Sequence, residues 1–367
     1  MSAASNISGL DDVVAAETRL SEVDGAAGRM IIRGLDLEEL AGRRSFEAVL
    51  ALLWQDLAPG NLDEERVRAA LGEARGVAFA LAARLLRETA RLSPIEGLRL
   101  LLSALPDSEA APHHLLATAS VPVFAAAIVR QRQGLARVAP DARQGQARDF
   151  LRMMRGTDAP AAHVKALETY LVAVADHGLN ASTFTARVIA STRAGLMSAV
   201  VGALCALKGP LHGGAPGPVL DMLDAIGTRE NIRPWLSATL TAGDRLMGFG
   251  HRVYRVRDPR ADILKGVAQA LRHDDNRVAF AEEVEAAALD LLRGRVAGRN
   301  LDTNVEFYTA LVLEALALPR ESFTNVFAAG RVAGWTAHIL EQEKTGRMIR
   351  PRSRYIGPMP PPRRDAA

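Results

Sequence analysis

Apolar residues recur at helical spacing along most of this 367-residue chain, and this pattern limits the possible folds more than any other feature. Residues 46–54 and 166–174 show it clearly, with apolar side chains three and four positions apart. Alanine and leucine, which favour helices, fill such segments. Segments that read as strands are few and short, and residues 29–33 are the best candidate. We therefore predict an all-α fold.

Size and composition exclude a collagen-like chain, a disordered chain and a small disulfide-linked scaffold. With 49% hydrophobic and 24% charged residues, the chain can bury a large core and is long enough for about two domains. A single cysteine, Cys205, rules out an internal disulfide and suits a reducing compartment. No apolar run approaches the ~18 residues of a membrane span, and the start lacks the pattern of a signal peptide. We expect a soluble, cytoplasmic protein without a membrane partner.

The net charge of +3 is unevenly distributed. The last 21 residues contain six arginines, among them Arg350, Arg363 and Arg364, and one aspartate, so the rest of the chain is slightly acidic. A binder of single-stranded nucleic acid would interleave aromatic residues with its basic ones, and this tail does not. We expect no nucleic-acid partner.

Glycine and proline mark the loops. Residues 134–146 form a polar connection, 209–218 is the densest glycine–proline turn, and residues 357–362 cannot be helical. His212 lies in the second of these segments, before a helix predicted to begin near residues 215–219. The positive end of that helix would keep the imidazole neutral, so that it could donate a hydrogen bond to an enolate or carbonyl oxygen. A histidine that merely caps a loop is the alternative.

Two other histidines lie beside glycines. His251 follows Gly248 and Gly250 and precedes several arginines, a composition that suits a phosphate or carboxylate ligand but equally a solvated turn. His177 lies at the end of one predicted helix, just before Asn180 can cap the next, and on local grounds it is a helix-end histidine.

Arg331 and Glu306 each allow two interpretations. Arg331 is four residues from both Phe327 and Trp335, so it interrupts an apolar helix face and needs either a protein carboxylate or a bound anion. Glu306 could close a capping box with Thr303, or act as a base at a helix start. Motifs typical of metal sites are absent from the sequence, as is a serine nucleophile elbow.

These residues occur in five phrases whose combination is specific. The phrases are DHGLNASTFTARV (176–188), GPLHGGAPGPVL (209–220), MGFGHRVYRVRDPRA (247–261), NVEFYTALV (304–312) and FAAGRVAGWTAHILEQ (327–342). In this order they resemble the citrate synthase family, especially its short bacterial and archaeal members. The resemblance covers nearly the whole chain and is weakest over residues 60–150.

The resemblance implies a reaction and an architecture. The enzyme would condense oxaloacetate with acetyl-CoA and hydrolyse citryl-CoA, without a metal and without a permanently bound cofactor, the coenzyme A thioester being a co-substrate. A large domain (residues 1–212 and 313–367) and a small domain (residues 213–312) would close over the substrates. The working unit would be a homodimer.

The resemblance also implies residue roles. Glu306 matches the base, His212 the enol stabiliser, and His251 the residue that binds the oxaloacetate carbonyl and protonates the new alkoxide. The oxaloacetate-binding positions match His177, Arg260, Arg331 and, from the partner subunit, Arg350. The coenzyme A segment matches Met247, Gly248, Gly250, Arg255 and Arg257.

Glu306 departs from the family, most members of which have aspartate at this position. One extra methylene moves the carboxylate by about an ångström, and such a displacement can cost ~10²-fold in rate. Ala215–Pro216 is a smaller departure, since many members have Ala–Asn. The main rival activity is that of 2-methylcitrate synthase, with propionyl-CoA as the acyl donor, because one methylene changes binding by only ~1–3 kcal/mol. A non-catalytic helical scaffold is the alternative from another class.

Overall fold

The structure is a computed structural model that describes residues 10, 13–60, 62–107, 112–213, 216–271, 277–293 and 301–360. Gly214 and Ala215 of the glycine–proline turn, and Arg363 and Arg364 of the tail, lie outside these ranges.

The described residues contain fifteen α-helices and one small sheet. The strands are β1 (Ser21–Asp24), β2 (Arg29–Ile32) and β3 (Leu35–Asp36). The helices are α1 (Leu37–Leu40), α2 (Phe46–Trp54), α3 (Glu64–Leu85), α4 (Pro94–Ser103), α5 (His113–Arg132), α6 (Gln146–Arg155), α7 (Ala161–Ala173), α8 (Ala181–Ala190), α9 (Leu196–Leu207), α10 (Pro216–Ile226), α11 (Ile232–Thr241), α12 (Pro259–Ala270), α13 (Arg277–Arg293), α14 (Val305–Ala315) and α15 (Phe323–Thr345).

The prediction of an all-α fold is confirmed, because the strands are few and short. The helix expected over 46–54 is α2, and the strand expected near 29–33 is β2. Short polar side chains begin several helices: Ser45 accepts a hydrogen bond from the Ala48 amide, and Asn180 accepts from the Ser182 and Thr183 amides. These caps satisfy amides that the first turn of a helix leaves unpaired.

Two long helices, α5 and α15, form the centre of the core. Most of their side chains are buried, and α15 packs against α5, α8, α9 and α7. Helix α5 is long and apolar enough to cross a membrane by length and composition alone, yet 94% of that stretch is buried inside the protein. Because α5 is a core helix here, its hydropathy is explained by packing.

The three strands form an antiparallel sheet of order β1-β2-β3, with Val23 opposite Met30. The turn between β1 and β2 contacts the segment 253–257. The Arg255 amide donates to the Gly25 carbonyl at 2.8 Å, and a Cβ on Gly25 would lie 2.2 Å from the Val253 carbonyl oxygen. A glycine is therefore required at position 25 for the sheet to reach this segment.

Helices α12 and α14 pack against each other and against α7. Helix α7 in turn packs against α15. The start of α12, the start of α14 and the middle of α15 thereby approach one region, next to the connection between α7 and α8. This arrangement places distant parts of the sequence around a single cleft.

Candidate active site

Three histidines predicted from the sequence meet in this cleft. The ring centroids of His177 and His251 are 5.4 Å apart, and Tyr254 packs against both rings at 5.6 and 4.8 Å. His177 Nε2 lies 3.3 Å from the Tyr254 hydroxyl. The His212 ring packs against Phe327, with centroids 6.3 Å apart, and the charged form of His212 would act on His177. The cleft is therefore lined by imidazole and aromatic rings.

Arg331 lies deep in the cleft, with 1% of its surface exposed. Its Nε donates to the Val174 carbonyl at 2.7 Å, and its guanidinium carbon is 4.9 Å from the centre of the Phe327 ring. Of the two partners that the sequence left open, the described residues supply no carboxylate within ion-pair distance. Burial, with the neighbouring Arg260 charge, lowers the pKa of Arg331 to about 10, so it is still a cation at neutral pH. A buried cation without a protein anion is a site for a bound anion.

Helix α15 reaches the connection that carries His177 because two of its residues are glycines. A Cβ on Gly330 would lie 2.5 Å from Val174 Cγ2, and one on Gly334 would lie 2.5 Å from the Ala175 carbonyl oxygen. The Gly334 amide donates to that same carbonyl at 2.9 Å. This close approach sets the distance between Arg331 and His177.

Arg260 and Asp258 form a buried ion pair at the start of α12. Arg260 donates to Asp258 through Nε at 2.9 Å and Nη2 at 2.8 Å. Asp258 also accepts from the Val305 amide at 3.2 Å, which ties α12 to the first turn of α14. Although burial opposes it, the Asp258 charge raises the pKa of Arg260. Arg260 is thus held as a second fixed cation beside His251.

The hydrogen bonds of His251 define its tautomer. Its Nδ1 accepts from the Val253 and Tyr254 amides at 3.0 and 3.1 Å, so the neutral ring carries its proton on Nε2. Burial, assisted by the Arg260 charge, lowers the pKa of His251 to about 4. Nε2 lies 3.3 Å from Arg260 Nη2, and both atoms are then donors. Two donors side by side are suited to one substrate oxygen.

His212 is held by Ser182, whose hydroxyl oxygen lies 2.8 Å from His212 Nε2. Trp335 Nε1 donates to the same hydroxyl at 3.1 Å. The hydroxyl proton therefore goes either to His212 Nε2 or to Asn180 Oδ1, which is 2.8 Å away and already accepts two helix amides. A proton directed to Nε2 leaves Nδ1–H as the free donor of His212.

The sequence predicts that a helix N-terminus keeps His212 neutral. In the structure His212 is neutral for another reason. Its pKa is lowered to about 4, first by burial and then by the Arg331 and Arg260 charges. Helix α10 does begin at Pro216, close to the predicted start. Burial explains the low pKa without a contribution from that helix.

The capping-box interpretation of Glu306 is wrong. The N-cap of α14 is Asn304, whose Oδ1 accepts from the Glu306 amide at 3.0 Å. Thr303 points elsewhere, because its hydroxyl donates to Glu285 at 2.7 Å. Burial raises the pKa of Glu306 to about 7, while Arg260 and Arg331 oppose that rise. Its carboxyl group is therefore free of a capping role and poised to exchange a proton near neutral pH.

The segment from Met247 to Gly250 is tied to the residues before α14. Phe249 and Thr303 form an antiparallel bridge, and the Gly250 amide donates to the Asp302 carbonyl at 2.8 Å. Gly248 and Gly250 have φ angles of 85° and 82°, which favour glycine. Several of the backbone groups expected to bind coenzyme A are thus already paired within the protein.

The two arginines predicted for coenzyme A differ. Arg257 forms ion pairs with Glu38, at 2.9 Å, and with Asp262. Arg255 is exposed, and the described residues place no carboxylate within ion-pair distance of it. Of these two arginines, Arg255 is the one whose charge no described carboxylate takes up, so it is available for a phosphate.

Arg350 lies apart from the cleft residues. It is exposed in the extended segment that follows α15, and no described residue of its own chain forms a hydrogen bond or ion pair with its guanidinium. No group of three or more histidine, cysteine or acidic side chains among the described residues could hold a metal ion.

Three further residues border the cleft and were missed as site residues. Ser182 and Asp258 lie inside the quoted phrases 176–188 and 247–261, so a signal for them was present. Tyr170 lies in an ordinary apolar stretch of α7 and gave no signal. Ser182 contacts His212 and Asp258 contacts the Val305 amide, and local sequence patterns do not report such distant contacts.

Together these groups can bind a small dianion and move a proton at carbon. Arg331 supplies a buried positive charge without a described carboxylate partner, Arg260 supplies a second that Asp258 partly balances, and burial keeps His177 neutral by lowering its pKa well below the usual value. Neutral His212 and His251 can donate hydrogen bonds to oxygens that gain charge. Glu306 is a carboxylate base with a raised pKa. A base and hydrogen-bond donors of these kinds can form an enol and stabilise its oxygen.

Comparisons with known proteins agree with this chemistry. The family profile described as citrate synthase, C-terminal domain, matches residues 9–352. Putative citrate synthase 2 of Mycobacterium tuberculosis H37Rv is 40% identical over 361 residues, covering 96% of this chain and 94% of the relative. A 2-methylcitrate synthase of the same strain is 35% identical over 363 residues, covering 95% and 90%. The ternary complex of carboxymethyl coenzyme A and oxaloacetate with the citrate synthase of Thermoplasma acidophilum superposes with a TM-score of 0.85, at 27% identity over 96% of both chains. The chain therefore belongs to the citrate synthase family, a family of acyltransferases.

Proposed function

We propose that this protein condenses oxaloacetate with acetyl-CoA and hydrolyses the resulting citryl-CoA to citrate and coenzyme A. The observation that supports the proposal is that Glu306, with a pKa of about 7, and the neutral His212 and His251 are all buried under the influence of the same Arg260 charge. The two relatives reported above are named putative citrate synthase 2 and 2-methylcitrate synthase.

Oxaloacetate would be held by its two carboxylates and its ketone oxygen. Arg260, Arg331 and Arg350 of the partner subunit supply the positive charges, and bidentate pairs of arginine with carboxylate fix orientation as well as charge. His177 adds a neutral hydrogen-bond donor. The ketone oxygen is placed against the paired donors His251 Nε2 and Arg260 Nη2, which are 3.3 Å apart.

Enol formation would use Glu306 and His212 together. The methyl group of acetyl-CoA is a very weak acid, so its deprotonation needs a base and a stabiliser of the enol oxygen acting at once. Glu306 removes a proton from the methyl carbon while His212 Nδ1–H donates a hydrogen bond to the thioester oxygen. The bond from Ser182 to Nε2 keeps that donor in place.

Condensation and hydrolysis follow. The methyl carbon bonds to the ketone carbon of oxaloacetate, and the electron pair of the C=O bond moves onto oxygen, which takes a proton from His251. Water then attacks the thioester carbonyl and gives a proton back to His251, the carbon–sulfur bond breaks, and coenzyme A leaves as the thiol with the proton that Glu306 took from the methyl group. No cofactor other than the coenzyme A thioester itself is required.

Coenzyme A binding is proposed for the segment containing Met247, Gly248 and Gly250, together with Arg255. The exposed charge of Arg255 suits a phosphate of coenzyme A. Arg257 is paired with the carboxylates of Glu38 and Asp262 and would have to exchange them for a phosphate. Cleft closure would bring residues 213–312, as a small domain, toward a large domain of residues 1–212 and 313–367.

A homodimer in the cytoplasm is the proposed working form. Exposed apolar side chains support it, since Met348, Tyr355, Ile356 and Met359 are 62–89% exposed in the extended segment beside Arg350. Such a surface is typical of an interface between chains. A second copy of the chain would cover it and receive Arg350 in its cleft.

Product analysis with two acyl donors tests the proposed reaction. Purified protein is incubated with oxaloacetate and either acetyl-CoA or propionyl-CoA, and citrate or 2-methylcitrate is identified by mass spectrometry. We expect citrate, with the higher kcat/KM for acetyl-CoA. A higher kcat/KM for propionyl-CoA would favour the 2-methylcitrate synthase activity, and no product with either donor would favour a non-catalytic scaffold.

A further inference from the structure

Tyr170 carries a buried hydroxyl for which the structure shows no hydrogen-bond partner. The side chain lies on α7 and is fully buried, with 0% of its surface exposed. A buried polar group without a partner costs about 1–3 kcal/mol, so such groups are rare and call for a reason. Phenylalanine would fill the same space without this cost.

The surroundings of this hydroxyl supply the reason. Helix α7 packs against α12, α14 and α15, which carry Arg260, Glu306 and Arg331. These three residues are also the charged groups that act most strongly on Tyr170. After burial, the Glu306 carboxylate is the largest influence raising the pKa of the Tyr170 phenol, so the hydroxyl keeps its proton.

Only one of these neighbours can accept that proton in a hydrogen bond. Arginine side chains are donors without an acceptor, whereas an ionised carboxylate only accepts. Glu306 also lacks a fixed partner, because no described residue donates a hydrogen bond to its carboxyl oxygens. The donor and the acceptor lie on helices that pack against each other, and because both are unpaired they complement each other.

Glu306 needs such a donor to fix the position of its carboxylate. A glutamate side chain has three rotatable bonds, and its carboxylate must be placed to within about an ångström of the substrate carbon. One hydrogen bond from a rigid phenol would hold one carboxylate oxygen and leave the other to take the proton. Because the donor is neutral, it stabilises the ionised base without adding a third cation to the cleft.

We propose that Tyr170 is a positioning residue for the base: its hydroxyl donates a hydrogen bond to the ionised Glu306 carboxylate when the cleft holds its substrates. This inference rests on the proposed function, in which Glu306 removes the methyl proton. It assigns the unpaired hydroxyl to the catalytic cycle and explains why a costly group is kept in a buried position.

The charged groups around Glu306 enter any test that varies pH. From α12 and its cap they are Arg260 and Asp258, from α15 it is Arg331, and from α7 it is Tyr170. The acidic residues of α10, Asp221 and Asp224, pair with Arg320 in ion pairs away from the cleft. Arg260, Arg331 and Tyr170 keep their protons at pH 7, because the pKa of Arg260 is raised, that of Arg331 is about 10 and that of Tyr170 is raised well above its usual value.

The test is the pH profile of Tyr170→Phe in the full-length enzyme. Removing a donor to the charged form raises the pKa of Glu306 in the substrate-bound enzyme, so the acid limb of kcat, which reports that state, is expected to move to higher pH by roughly one unit. At pH 7, kcat is expected to fall roughly tenfold and to recover partly at higher pH, where the base is fully ionised. The KM for oxaloacetate stays unchanged, and Tm stays the same or rises.

Ser120→Ala is the matched control. Ser120 also has a buried hydroxyl without a partner, but it lies on the core helix α5, away from the cleft. This variant is expected to keep the wild-type pH profile and kcat, whatever its effect on Tm. The comparison separates the loss of an unpaired hydroxyl from the loss of this particular one.

The outcomes distinguish a failure of the role of Tyr170 from a failure of the proposed function. An active wild type, an inactive Glu306→Gln and a Tyr170→Phe with unchanged kcat and pH profile would overturn the role of Tyr170 alone. A raised KM for oxaloacetate with an unmoved acid limb would show that Tyr170 binds the substrate instead, which also overturns it. A wild type that releases no coenzyme A would overturn the proposed function and this inference with it.

Discussion

Burial sets the protonation state of each functional side chain in the cleft. It lowers the pKa of His212 and His251 to about 4, so both are neutral donors at pH 7. It raises the pKa of Glu306 to about 7, where a base is most effective. Arg331 keeps its charge in spite of burial because even a pKa of about 10 leaves it protonated. One physical cause thus gives neutral donors and a poised base, while Arg331 stays charged because its pKa begins so high.

Glu306→Gln is predicted to stabilise the folded protein while it removes activity. The pKa of Glu306 is about 7 when folded and 4.5 in the reference state, so folding favours the protonated form. Ionisation therefore costs the folded state increasingly as pH rises from 4.5 to 7, by up to about 3 kcal/mol. Glutamine avoids this cost. Thermal unfolding should show a higher Tm for the variant at pH 8 and no gain at pH 4.5; an equal Tm difference at both pH values would contradict the assignment.

At the scale of the element, the first turn of α14 is the part that positions the base. Asn304 caps this helix through Oδ1 and also donates from Nδ2 to the Gly250 carbonyl at 2.8 Å. The Val305 amide binds Asp258, which holds Arg260. Glu306, the proposed base, Arg260, which is proposed to bind oxaloacetate, and the glycine segment are therefore connected through a few hydrogen bonds at one helix start.

Substitutions of Asn304 separate the two roles of its side chain. Asn304→Ser keeps a neutral cap but is too short to reach Gly250, whereas Asn304→Ala loses both bonds. We expect Asn304→Ala to lower the free energy of unfolding by about 1 kcal/mol and Asn304→Ser to change it little. Both should lower kcat, because the tie to Gly250 is lost in each. Full kcat in Asn304→Ser, measured beside its denaturant unfolding curve, would show that the tie is unimportant.

Elements were more predictable from the sequence than the contacts between them. The bounds of α2 follow from apolar spacing and the cap Ser45, which are local. Of the two interpretations of Glu306, the capping box with Thr303 is wrong, because the Thr303 hydroxyl donates to Glu285, a residue on α13. His177, His212, His251, Glu306 and Arg331 were found through their phrases. Tyr170 was not, because its importance depends on Glu306, which only the packing of α7 against α14 brings near it.

At the scale of the whole molecule, each cleft is proposed to need a second chain. Arg350 is exposed beside the apolar segment 348–359, and nothing described in its own chain pairs with it. In a symmetric dimer, the same arm of each chain can complete the cleft of the other. The account therefore predicts that two differently damaged chains can repair one another.

Mixed dimers of Arg350→Ala and Glu306→Gln test this exchange. Each variant alone is expected to be nearly inactive. In a mixed dimer, the Arg350→Ala chain keeps its Glu306 and receives Arg350 from its partner, so one of the two sites is intact. Random reassortment should restore about a quarter of the wild-type activity. No recovery, in mixtures shown by mass spectrometry to contain the hybrid, would place Arg350 in its own cleft or outside the site.

The most direct test of the central claim is coenzyme A release measured with a thiol reagent for the wild type, Glu306→Gln and His212→Ala. The account predicts release by the wild type only when oxaloacetate and acetyl-CoA are both present, and a loss of at least ~10²-fold in kcat for each variant. Full activity of Glu306→Gln beside an inactive His212→Ala would show that Glu306 is not the base, and no release by the wild type would contradict the reaction.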